Sequence, residues 1–219
     1  MLKIIGTSHI AKQSIREVTE MMDSWTPDIV AVALDRGRLH GLLNPQKTKM
    51  RLSDIGKVGL KGWLFAQLGA WGEKKMGKTV GVSPGQDMLA AVKIARQQKI
   101  PIALIDQDIS VTLRRFSKEL TWKEKGRFAM DILSSIFSKK KQEFDLRTVP
   151  SQDVIDGMIK QVRYRYPNVY KVLITERNIF MARQLAKLMH DNPEKKILAL
   201  IGAGHKQDIK ELLTTRSAK

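Results

Sequence analysis

Residues 28–34, Asp28-Ile29-Val30-Ala31-Val32-Ala33-Leu34, decide the fold class. A short apolar run rich in Val and Ile, set directly after Pro27, is the pattern of a strand buried in a parallel sheet. Working outward, Leu2 to Gly6 reads as a second buried strand. Ser8 is placed to cap a helix from about Ile10 to Trp25, in which Ile15, Val18, Met22 and Trp25 fall on one face. Strand, helix, strand is a βαβ unit. The chain is therefore expected to be α/β, with a central mixed or mostly parallel sheet flanked by helices.

Further along, Asp35-Arg36-Gly37-Arg38 leads into a short helix over Leu39 to Leu43 and then a polar stretch. From Val58 to Lys75, Leu60, Trp63, Leu64, Leu68 and Trp71 share a helical face, although four glycines lower its intrinsic stability. It reads either as a core-packing helix or as a lid or interfacial helix, with Lys61, Lys74 and Lys75 beside its tryptophans. A clear helix opens at Gly85 and runs to about Gln98. Pro101 to Ile105 is a third strand, ending in Asp106-Gln107-Asp108, where Asp108 is placed to cap the next helix. Helices are expected at Ser110 to Glu119, Thr121 to Phe137, Gln152 to Tyr164 and Val169 to Met189. Lys139 to Lys141 read as a solvated loop, and Ile197 to Ile201 as the last strand. One domain over residues 1–219 is the expectation.

The composition narrows the function. There is no cysteine, which excludes disulfides, thiolate catalysis and cysteine-held zinc or iron–sulfur sites. Any metal must be held by His, Asp or Glu. Lysine and arginine number 39 against 22 acids, a net charge of +17 that attracts anionic partners without choosing among them. Aromatics are only 6%, so a stacking platform for single strands is not indicated and nucleic acid is a disfavoured partner. No signal peptide and no long apolar span is read, so a cytoplasmic or peripherally membrane-associated protein is expected.

Chemistry gathers at the strand ends. Gly6-Thr7-Ser8-His9 follows the first strand, and Gly202-Ala203-Gly204-His205 follows the last. A histidine just past a parallel strand suits a metal ligand or a general base. If those strands are near each other, His9 and His205 face one cleft. Two histidines seldom hold a catalytic metal unaided, and Glu176 is a candidate carboxylate, set in an apolar stripe of Val172, Leu173, Ile179 and Phe180. A glutamate on such a face is either functional or paired with an arginine, and both remain open. Asp35, Arg38, Asp106, Arg114, Arg115 and Arg177 complete the polar set, in which arginines orient carboxylates or stabilise an oxyanion.

These motifs together resemble the TraB/PrgY family, related to the Tiki proteins and, in fold, to the erythromycin esterase and ChaN group. The resemblance rests on GTSHI at Gly6 to Ile10, VAVALDRGR at Val30 to Arg38, GQDM at Gly85 to Met88, IDQDISVTLRR at Ile105 to Arg115, TERNIFMA at Thr175 to Ala182, and GAGH at Gly202 to His205. It implies an erythromycin esterase/ChaN-like sheet with pseudo-two-fold halves and a metal-dependent protease or hydrolase. Two Gly-x-x-His motifs and a glutamate would mark its site, with manganese or cobalt favoured and zinc an alternative. It also implies a link to shutdown of peptide pheromones. Where the family usually carries a glutamate before the Leu-Asp pair, this chain has Ala33. Because side chains two apart share a strand face, Asp35 is the candidate to substitute, at shorter reach.

The leading expectation is thus a divalent-metal hydrolase of peptides, impaired by Ala33. His9, His205 and Asp35 would be the metal ligands, and Glu176, Arg177, Arg38, Asp106 and Arg114 the catalytic groups. The alternative is a noncatalytic peptide-binding module, and less favoured is a basic protein that binds membrane or nucleic acid. Expected partners are a peptide, an anionic membrane surface and a second copy of the chain through the Val58 to Lys75 helix.

Overall fold

Ile197–Gly202 is buried along its whole length, and it is a central strand of the sheet. The computed structural model describes residues 1–7, 12–44, 55–57, 59, 63, 85–137 and 152–217. Its strands are β1 (Leu2–Thr7), β2 (Ile29–Val32), β3 (Ile102–Leu104) and β4 (Ile197–Gly202). They form one sheet in the order β1-β4-β2-β3, and each pair is parallel. The α/β expectation holds, and the described sheet is wholly parallel rather than mixed.

The described helices are α1 (Lys12–Trp25), α2 (Arg36–Leu43), α3 (Gln86–Gln97), α4 (Ile109–Glu119), α5 (Trp122–Phe137), α6 (Gln152–Arg165), a short turn α7 (Pro167–Tyr170), α8 (Glu176–Asp191) and α9 (Ala203–Ser217). The steps β1 to β2 and β2 to β3 cross the sheet in one direction, and β3 to β4 returns. Right-handed crossovers then put α1 and α3 on one face and the helices leading back to β4 on the other. The packing agrees: α1 lies against α3, and α9 lies against α8.

Covering both faces explains the apolar runs. Val30, Ala31, Val32, Leu198, Ala199 and Leu200 have no exposed surface, so β2 and β4 are apolar on both sides. Each large aliphatic among them contributes about 1.5–3 kcal/mol relative to exposure. Val18 and Met22 of α1 enter the same cluster as the helical spacing predicts, with Trp25 packed at its edge.

Several boundaries differ from the sequence reading. The second strand stops at Val32, so Ala33 to Asp35 are not strand. Alternation therefore gives no reason for Asp35 to share the face of Ala33. Ala33 instead donates its N–H to the Leu200 carbonyl at 2.9 Å and buries its methyl in the core. Asp35 turns to cap α2. The single helix expected over Val169 to Met189 is α7, a π-helical turn at Lys171–Thr175, and then α8. The last helix, α9, was not anticipated, and it places His205 within its first turn. His9, Ser8, the run 139–141 and most of the Val58 to Lys75 segment lie outside the described residues.

Candidate functional site at the strand ends

The parallel sheet delivers its polar groups to one edge, where ligands of such sheets bind. Thr7 at the end of β1 is in register with Gly202 at the end of β4. The first and last strands are therefore neighbours, as the paired Gly-x-x-His reading requires. His205 is buried in α9, three residues beyond Gly202.

Asp106 is the anchor. It follows β3, its side chain is wholly buried, and its two oxygens accept from four donors. Oδ2 takes Arg38 and Arg177 guanidinium nitrogens, each at 2.5 Å. Oδ1 takes the Gln107 backbone N–H at 2.8 Å and Arg177 Nε at 3.2 Å. Burial alone would raise the Asp106 pKa, but the hydrogen bond and charge of Arg177, with those of Arg38, outweigh it and hold the carboxyl below its usual range. Arg38 is held from its other side by Asp35. That carboxylate accepts from the Arg38 backbone N–H at 3.0 Å and from its Nε at 2.6 Å. One aspartate thus caps a helix and aims the arginine that the helix carries.

Arg177 joins this cluster to His205. Its guanidinium lies 3.3 Å from His205 Nε2 and also donates to the Leu173 carbonyl at 3.2 Å. On the opposite side of the ring, His205 Nδ1 is 2.6 Å from Asn178 Oδ1, and Asn178 Nδ2 donates to Asp208 at 2.8 Å. The roles follow from the ends of the chain of bonds. An ionised carboxylate only accepts and a guanidinium only donates. Asp208 therefore fixes the Asn178 amide with its oxygen toward the ring, so Nδ1 carries the proton and the lone pair sits on Nε2.

The π turn explains which residues of α8 reach this site. An extra residue in one helical turn shifts the register of everything after it, a feature often found at functional sites. The stripe drawn through Val172, Leu173, Ile179 and Phe180 assumed unbroken α-helix. With the shift, Arg177 and Asn178 turn to the strand ends. Glu176 instead meets Arg115, in two hydrogen bonds of 3.1 and 2.7 Å. Glu119 bridges Arg115 and Lys171 at 3.1 and 2.9 Å and extends that pair into a half-exposed network. Arg114 is exposed, and its Nε donates to the Lys57 carbonyl at 3.3 Å. Asp108 caps α4 through the Ser110 N–H at 2.7 Å, as its position implied.

The structure thus brings Asp35, Arg38, Asp106, Arg177 and His205 into one connected set and leaves Glu176 and Arg114 with other partners. Asn178 and Asp208 were missed from sequence. Once α9 is known, Asp208 lies one helical turn beyond His205, and Asn178 adjoins Arg177. Those two spacings were the signal.

The donor chemistry fits a divalent ion at one point. His205 has the support typical of a metal-bound histidine, a ring N–H held so that the other nitrogen presents its lone pair. Asp106 does not fit as a ligand, because its oxygens already take four donors. Among the described residues no group of three or more His, Asp and Glu side chains stands close enough to hold an ion. Also among them, no helix is long and apolar enough to cross a membrane.

The TraB/PrgY/gumN family model matches residues 2–219. An uncharacterized protein of Methanocaldococcus jannaschii is 34% identical over 211 residues, which cover 94% of this chain and 51% of that protein. TraB domain-containing proteins of Homo sapiens and Mus musculus are each 24% identical over 240 residues, covering 97% of this chain and 62% of theirs. The chain therefore spans about half to three fifths of the length of these relatives. With a family match that runs from the first strand through the last helix, the chain belongs to the TraB/PrgY/gumN family.

Proposed function

We propose that the chain is a divalent-metal-dependent hydrolase of peptide-like amides, with His205 Nε2 as the nitrogen that meets the ion. The observation that carries this reading is the bond order from Asp208 through Asn178 to His205, which leaves the lone pair on Nε2 at the ends of β1 and β4. His9, two positions beyond Thr7 in the sequence, is the second ligand in this reading. When bound, a manganese, cobalt or zinc ion supplies Lewis-acid polarisation of the amide carbonyl and a water of lowered pKa. The chain's own residues do the rest. Asn178 holds the ring in orientation, Arg177 releases Nε2 while staying anchored on Asp106, and Arg38 and Arg177 present positive charge to a developing oxyanion.

A second reading, capture of a peptide without cleavage, is favoured by Ala33. At this position the chain offers a methyl group packed in the core, where the family resemblance implies a glutamate. Incubating the chain with a peptide and manganese, then weighing the products, separates the two. New peptide termini that vanish in His205→Ala support hydrolysis. Intact peptide that nonetheless binds supports capture.

A further inference from the structure

β1 is an edge strand with a definite outward face. The Met1 carbonyl accepts the Ile197 N–H at 2.8 Å, and Leu2 is in parallel register with Ile197. In a parallel pair this turns the backbone groups of Lys3, Ile5 and Thr7 toward β4 as well. The N–H and C=O groups of Leu2, Ile4 and Gly6 then point out of the sheet, and among the described residues no strand pairs with them.

A groove follows that edge. Two stretches of about 500 and 400 Å³ run along β1 and share Ile4, Ile5 and Met21. Their walls carry opposite charge beyond Lys3, a cation that the start of the strand puts on the α1 side. On the α1 side stand Glu17 and Glu20, and on the α9 side Lys206 and Lys210. The β1 side chains show which wall serves which face. Lys3 lies 4.8 Å over the Trp25 ring of α1, whereas a Cβ on Gly6 would meet Ala203 and Lys206 of α9.

We propose that this edge takes an extended peptide as a fifth strand, with basic side chains toward Glu17 and Glu20 alternating with acidic ones toward Lys206 and Lys210. Outward backbone groups supply affinity, and period-two alternation supplies selectivity because successive side chains meet opposite walls. The direction of β1 gives the groove a use, since the strand ends at Thr7 beside Gly202, so a docked peptide has one end at the His205 cleft. A second copy of the chain is a poorer occupant. Antiparallel pairing of β1 with itself about a two-fold axis normal to the sheet sets the lysine wall against its own copy and the glutamate wall likewise. The inference rests on the proposed function for the peptide nature of the ligand and for the cleft at its end, whereas the strand addition itself stands on the edge and the groove.

The test is residue-resolved amide hydrogen exchange on the full chain, with a capped nine-residue peptide alternating lysine and glutamate. A control peptide of similar composition carries lysines and glutamates in doubled steps, which mixes charges on each face. The alternating peptide is expected to slow exchange at Ile4 and Gly6 at least tenfold, with Lys3 and Ile5 unchanged. The doubled peptide, and the alternating one with the Lys206→Glu/Lys210→Glu variant, are expected to bind at least tenfold more weakly. No slowing at Ile4 and Gly6, or equal binding of both peptides, overturns the inference. Protection that grows with protein concentration in the absence of peptide also overturns it, by placing a second copy on the edge. Edge protection without cleavage of any peptide counts against the hydrolase reading alone. Cleavage without edge protection counts against the fifth strand alone.

Discussion

His205 Nδ1 lies 2.6 Å from Asn178 Oδ1, and the direction of that bond is imposed by Asp208, which the ring does not touch through any of these contacts. Nitrogen-15 spectra of the imidazole are expected to show Nδ1 protonated and Nε2 bare. Asp208→Asn frees the amide to turn over, and a mixed tautomer is the expected result. An unchanged spectrum in Asp208→Asn would remove the carboxylate from this role.

Arg177 stands where an ion would compete with it, 3.3 Å from Nε2. Removing a positive charge at that distance favours a cation in the cleft by about 1 kcal/mol or more on Coulombic grounds, at least roughly fivefold in affinity. Arg177→Gln is therefore expected to bind manganese more tightly than the parent protein in a calorimetric titration. Weaker binding would make Arg177 a supporter of the ion site instead.

Asp106 neutralises two arginines whose side chains are 28% and 18% exposed. Asp106→Asn leaves both charges without their shared partner, and removing one member of such a buried set costs about 3 kcal/mol. Urea unfolding is expected to show that loss with an unchanged m-value.

The same carboxylate gives a pH dependence with a definite sign. Its pKa is depressed in the folded protein, so the unfolded chain binds the proton first as pH falls. The stabilisation is full above the ordinary aspartate value of 3.8 and is lost as pH falls below it through the folded value. Thermal unfolding in steps from pH 6 to about pH 2 should show a steeper acid loss for the parent than for Asp106→Asn.

Gly6 tests the approach of α9 to β1. An added Cβ would sit 3.1 Å from the Ala203 Cα, a backbone atom that cannot swing aside. Gly6→Ala is expected to cost about 1–2 kcal/mol through overpacking. Gly157→Ala, whose Cβ meets nothing within 4 Å, is the helix control and is expected to stabilise slightly.

The sheet was legible because its strands are apolar on both faces. Val30 and Leu198 read as buried without any partner being known, and Pro27 and Pro101 marked where strands begin. Strand neighbours are a long-range property, so the contact between β1 and β4 could only be posed as a condition. The site was half legible. Asp35, Arg38, Asp106, Arg177 and His205 stand at strand or helix ends, where chain order alone suggests chemistry. Glu176 was placed by helical periodicity, and the π turn at Lys171–Thr175 breaks that periodicity without leaving a composition signal. Asn178 and Asp208 look like ordinary polar helix residues until α8 and α9 are packed together.

The claim at the centre is that the strand-end cleft holds a divalent ion through His205. Counting free manganese by electron paramagnetic resonance, as metal is added to the folded chain and to His205→Ala, tests it most directly. The account predicts one ion bound per chain in the parent and its loss in the variant. Binding that is absent from the parent, or equal in both proteins, would contradict it.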